Sequence, residues 1–101
     1  MLNKNEINEI AKRYMEHLEG KINIKLTINQ QLTINKSYGN IYFWGAQDSK
    51  KHRLAGNGSF LVESEDGRVL RFGTADPTEY YITLYENGNW NPGYNDIWYP
   101  N

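Results

Sequence analysis

The chain contains no cysteine. That excludes a disulfide framework and thiolate metal ligation, and it fits a reducing compartment. Histidine is scarce: His17 and His52 lie far apart and neither has a second histidine at ligand spacing, so no metal site is expected. Net charge is -1, too small to create a field that draws in nucleic acid or anionic lipid. No apolar run is long enough to span a bilayer, and the opening M-L-N-K-N-E-I-N-E-I lacks the apolar stretch of a signal peptide. A cytoplasmic location is the expectation, with no membrane and no nucleic acid as partner. Internal repeats and low-complexity segments are also missing, and 101 residues suit one domain, 1–101. Aromatic residues, by contrast, are plentiful: 14% of the chain, with 8 Tyr and 3 Trp. They supply core area and are also preferred anchors of interfaces.

The first element is a helix. Asn3 and Glu6 have the spacing of a capping box, with Leu2 and Ile7 as its hydrophobic staple. Ile7, Ile10, Ala11, Tyr14 and Leu18 form one apolar stripe, and Glu9 and Arg13 form an i, i+4 pair. The spacing predicts a helix from about Lys4 to Glu19, closed by Gly20. Ile22, Ile24, Leu26 and Ile28 then alternate with polar residues, which predicts a half-buried strand. A short strand is expected at Leu32–Ile34, a turn at Tyr38-Gly39-Asn40, and a strand at Ile41–Trp44 that is apolar on both faces and so central or under a helix.

Phe60–Glu63 and Val69–Phe72 read as a hairpin around Asp66-Gly67. A two-residue turn would place Val62 opposite Arg71. A turn through Ser64, Glu65 and Asp66, with Gly67 as a left-handed bulge, would place Val62 opposite Leu70 and Phe60 opposite Phe72. The second register gathers Phe60, Val62, Leu70 and Phe72 on one face, so burial favours it. Asp76-Pro77-Thr78-Glu79 then opens a second helix, with Asp76 as N-cap, Tyr81, Leu84 and Tyr85 inward, and Asn87-Gly88 at its end. The fold expected is α+β: one antiparallel sheet of about four strands packed by an N-terminal and a C-terminal helix.

No constellation points to catalysis. Glu63, Glu65 and Asp66 cluster at a turn, where carboxylates are common for local reasons. Gly56-Asn57-Gly58 precedes a strand rather than a helix, which is the wrong order for a phosphate loop. Neither a cofactor nor a catalytic residue is therefore expected. The residues suited to partner contact are Tyr42 and Trp44, the basic Lys50, Lys51 and Arg53, and the tail aromatics Trp90, Tyr94 and Trp98. A tail of that composition must cover something, either its own domain or a partner.

Ala55, Gly56, Asn57, Gly58, Phe60, Val62, Gly67, Val69, Gly73, Thr74, Ala75, Pro77 and Tyr81, with Gly39, Ile41, Tyr42 and Phe43 upstream, form a pattern. It resembles the immunity protein 35 family, also called the YrhB-like domain, over about Asn5 to Glu86. Asn40 stands where that family usually has Trp, Ser59 where it has Pro, the connection around Lys50 is shorter, and residues 87–101 form an aromatic extension outside the pattern. The resemblance implies an immunity protein that binds and neutralises the cognate toxin of a bacterial polymorphic toxin system. It also implies an alternative, a small heat-stable chaperone-like protein that binds unfolded clients. A homodimer is compatible with either.

Overall fold

The computed structural model describes residues 1–48, 50, 58–93 and 96–100. Helix α1 spans Lys4–Ile22, followed by β1 (Leu26–Ile28), a 3-10 turn (Gln30–Leu32), β2 (Ile34–Lys36), β3 (Gly39–Tyr42) and β4 (Trp44–Ala46). After β5 (Phe60–Glu63) and β6 (Val69–Arg71) come helix α2 (Thr78–Glu86) and β7 (Ile97–Trp98). All strand pairings are antiparallel. The main sheet has the order β2-β3-β5-β6-β7, and β1 and β4 form a separate two-stranded sheet. The architecture is thus α+β, with five strands in the main sheet rather than about four.

Both faces of the main sheet are covered. On one, Ile7, Ile10, Ala11, Tyr14 and Met15 of α1 pack against Tyr42, Phe60, Val62 and Val69. On the other, Ile82 of α2 packs with Ile41, Leu61, Leu70 and Phe72, flanked by Tyr81, Tyr85 and Trp90. Each fully buried aliphatic or aromatic side chain contributes about 1.5–3 kcal/mol, so the two half-cores stabilise the same sheet from opposite sides.

This double burial corrects the hairpin register. Neither expected pairing forms: Leu61 lies opposite Leu70, Val62 opposite Val69 and Phe60 opposite Arg71. The one-sided argument assumed a wet face, but α2 makes Leu61 and Leu70 as deeply buried as Val62 and Val69. With both faces apolar, burial cannot choose the register, and the turn does. Its four-residue loop is closed by the Glu63 N–H donating to Arg68 O (2.9 Å) and the Gly67 N–H donating to Glu63 O (2.9 Å). Gly67 keeps the expected left-handed conformation at φ 80°.

The helix ends also shift. The Asn3–Glu6 capping box forms as expected, with both reciprocal bonds present at 2.8 and 2.9 Å. But α1 runs through Gly20 to Ile22, and Asn23 takes the left-handed cap at φ 57°. Asparagine tolerates that conformation, whereas one interior glycine costs only about 1 kcal/mol. The strand expected from residue 22 therefore begins at Leu26, and Ile22 is 40% exposed. Instead of pairing with Glu9, Arg13 donates to Pro100 O at 2.7 Å. At α2 the N-cap is Pro77, not Asp76, and no side chain caps the helix. The Thr78 hydroxyl lies 2.8 Å from the Ser59 hydroxyl, which ties the first turn of α2 to the start of β5. Ile82 is the most buried residue of α2, ahead of the expected Tyr81 and Tyr85. The end of α2 is as expected: Gly88 is left-handed, its N–H donates to Tyr85 O, and the Asn89 N–H donates to Leu84 O.

Two shorter strands move as well. The expected strand at Leu32–Ile34 is a 3-10 turn followed by β2, and Gly39 and Asn40 belong to β3 rather than to a turn. The aromatic strand Ile41–Trp44 is divided at Phe43. Its first part stays central in the main sheet, and Trp44 moves into the small sheet opposite Ile28. The tail, whose sequence has no regular period, supplies β7 as the outer strand beside β6.

Candidate functional site: an aromatic groove between α1 and the tail

Tyr14, His17, Leu18 and Lys21 fall at i, i+3, i+4 and i+7 on one face of α1. Only Tyr14 is deep enough to belong wholly to the core. The others face Arg71 and the tail residues Asp96 to Tyr99 across a groove of about 330 Å³. Trp98, on the α1 side of β7, forms its wall, with ring centroids 5.4 Å from Tyr14 and 5.5 Å from His17.

A local turn sets the tail in place. The Asp96 N–H donates to Gly93 O at 2.9 Å, and the Gly93 N–H donates back to Asp96 Oδ2 at 3.2 Å. Asp96 Oδ1 accepts from Arg71 Nε and Nη2 at 3.2 and 2.9 Å, which joins this turn to β6. Partial exposure limits the energy of the pair to about 1 kcal/mol or less, so its main effect is to position the tail.

Of the polar groups that remain, the Trp98 indole N–H and the Lys21 ammonium can only donate. Tyr14 is 5% exposed; its hydroxyl makes no hydrogen bond to a described residue and is not fully buried, so water reaches it. Burial pushes the Tyr14 phenol pKa up, with Arg71 opposing and Asp96 adding to the shift. The indole N–H of Trp98 and the ammonium of Lys21 likewise lack partners among the described residues.

The residues expected to contact a partner are not gathered in one place. Tyr42 is 1% exposed; it is a core residue, stacked on Phe60, and its hydroxyl donates to Asn8 Oδ1. Trp44 is partly buried against the first half-core and donates its indole N–H to Gly58 O at 2.7 Å. Trp90 packs on Phe72 and Tyr81 in the second half-core. Lys50 is exposed beyond β4, while Lys51, Arg53 and Tyr94 lie outside the described residues. Of the five that are described, Trp98 alone lines the groove. Lys21 and Arg71 were missed: the first was assigned to a strand, the second to the wrong face by the register error. The signal available was the Tyr14–Lys21 spacing, which needs α1 to run past Gly20.

A second polar cluster occupies the α2 side. Glu63, opposite Arg68 at the end of the hairpin, accepts from Arg68 Nε at 2.6 Å and Nη2 at 3.2 Å, and from the Tyr85 hydroxyl at 2.5 Å. Tyr85 packs beside Tyr38 (centroids 4.8 Å), whose hydroxyl donates to Glu86 at 2.7 Å, and Glu86 meets Lys36 at 3.2 Å. Burial and the hydrogen bond to Glu63 raise the Tyr85 pKa well above the phenol range. Burial and the bond to Glu86 do the same for Tyr38. The Tyr38 hydroxyl, then Lys36, hold the Glu86 carboxyl below its usual range. The bond to Glu63 strengthens the protonation of Arg68. This carboxylate, inert in a sequence reading, is matched on every side by protein groups and opens onto no cavity among those described. It joins the hairpin to α2.

Among the described residues no three His, Asp or Glu side chains gather as a metal-ligand cluster, and no helix is long and apolar enough to cross a membrane. In comparisons with known proteins, no family model, no curated sequence and no solved structure matches the chain.

Proposed function

We propose that this domain is an immunity protein that binds a cognate bacterial toxin in the cytoplasm of the producing cell and neutralises it by occlusion, without a reaction of its own. The pattern running from Gly39 through Tyr81 supports the immunity reading. The observation that carries the binding reading is the groove beside Trp98: an aromatic wall and a cationic rim around a cavity of about 330 Å³. Aromatic anchors in partly desolvated pockets are where protein interfaces concentrate their energy.

Co-expression with the toxin encoded by the neighbouring gene tests this. Rescue of growth and a stable complex are expected. No rescue and no complex would remove the proposal. Suppression of the aggregation of unrelated proteins, without one tight partner, would transfer the function to a chaperone-like binder.

A further inference from the structure

The groove has more donors than acceptors. An indole N–H and an ammonium can only donate, and the Tyr14 hydroxyl beside them has no hydrogen-bond partner among the described residues. Asp96, the one carboxylate among the described lining residues, is already shared between Arg71 and the Gly93 N–H. These donors face the groove and are open to its water, so an acceptor entering from outside can take them up. Among the described lining residues the charge balance has the same sense: Lys21 and Arg71 against Asp96. Yet the volume, about 330 Å³, is that of about ten waters at about 30 Å³ each, far more than one carboxylate fills. The rest of the wall, Leu18 and the Trp98 ring, is apolar or aromatic.

We infer that the groove seats an acidic segment of the partner protein: a carboxylate side chain directed at Lys21, Tyr14 and the Trp98 indole N–H, with an adjacent apolar side chain lying on the Trp98 ring. The inference rests on the protein-binding reading above and specifies the chemistry of the partner. The carboxylate neutralises the local excess of positive charge, and the apolar neighbour removes the indole face from water. The two together separate a peptide from a free small acid.

The test uses the full chain labelled with nitrogen-15 and two synthetic hexapeptides, one alternating glutamate and leucine, the other lysine and leucine. The glutamate peptide is expected to shift the Trp98 indole N–H and the amides of residues 14–21 and 96–99 saturably. The lysine peptide is expected to bind about tenfold more weakly or worse, as like charges oppose it. Lys21→Glu lowers affinity for the glutamate peptide about tenfold, whereas Lys12→Glu, the same charge change at another exposed position of α1, leaves it nearly unchanged. Equal binding of both peptides, shifts away from the groove, or the same shifts and affinity from acetate alone would each overturn the inference. Groove binding of the glutamate peptide by a chain that forms no toxin complex would remove the immunity reading and leave this one. A toxin complex that leaves the Trp98 indole resonance unmoved would do the reverse.

Discussion

Gly67 and Gly88 offer a controlled comparison, because both have positive φ, at 80° and 71°, but different surroundings. An alanine at Gly88 meets nothing within 4 Å, so it pays only for the left-handed backbone. That penalty is about 1–2 kcal/mol, partly offset by the lower entropy of the unfolded chain, about 0.4–1 kcal/mol. An alanine at Gly67 carries the same terms. Its Cβ would also stand 2.6 Å from Ile10 Cδ1 and 3.1 Å from Leu2 Cδ1, where the hairpin loop presses on α1. Both atoms are at the ends of side chains packed into the first half-core, so they must shift, at about 1–3 kcal/mol for overpacking. Gly67→Ala is therefore expected to destabilise by about 1–3 kcal/mol more than Gly88→Ala. Urea unfolding of both variants at neutral pH, read as a change in midpoint at constant slope, measures the difference. Equal losses, or a larger loss at Gly88, would refute the claim that the loop is seated against α1.

Three further outcomes follow from the same contacts. Tyr85→Phe removes a donor from a carboxylate whose side chain is 12% exposed, and should cost about 1–2 kcal/mol in urea unfolding; no loss would make the Glu63 cluster ornamental. Tyr14, Tyr38, Tyr42 and Tyr85 all have pKa values raised above the ordinary 10.0, so the unfolded chain releases those protons first. Their contribution is complete below that pH and is lost as pH rises from there through the folded-state values. Unfolding midpoints should therefore fall steeply above pH 10.0, and less steeply in Tyr85→Phe; a flat alkaline profile would contradict the buried phenols. Asn3→Ala breaks both bonds of the capping box and should lower stability by about 1 kcal/mol, with helix content at the start of α1 read by amide exchange.

What could be read from the sequence was local. The Asn3–Glu6 box, the α1 stripe, the left-handed Gly67 and the end of α2 at Gly88 depend on neighbours a few residues away, and all form as expected. The hairpin register was not legible, because it depends on how many faces of the sheet are covered. Phe60–Glu63 alternates equally well toward either side, and only the presence of α2 opposite α1 explains why Leu61 and Leu70 pair. The extent of α1 was ambiguous for a related reason: Ile22, Ile24, Leu26 and Ile28 satisfy a strand period even though the first of them is helical. The groove inherited both errors. It combines a residue past the expected helix end, Lys21, with one on the unexpected sheet face, Arg71, and a tail whose strand has no periodic signal. Of its members, the tail aromatic Trp98 is legible as a contact residue because a tail of that composition must cover something, whereas Tyr14 and Leu18 read only as part of the α1 stripe.

The most direct measurement is a titration of the nitrogen-15-labelled chain with the toxin encoded beside it. The account predicts a saturable complex in slow exchange that moves the Trp98 indole resonance and protects toxin-expressing cells. The absence of any complex, with cells left unprotected, would contradict it.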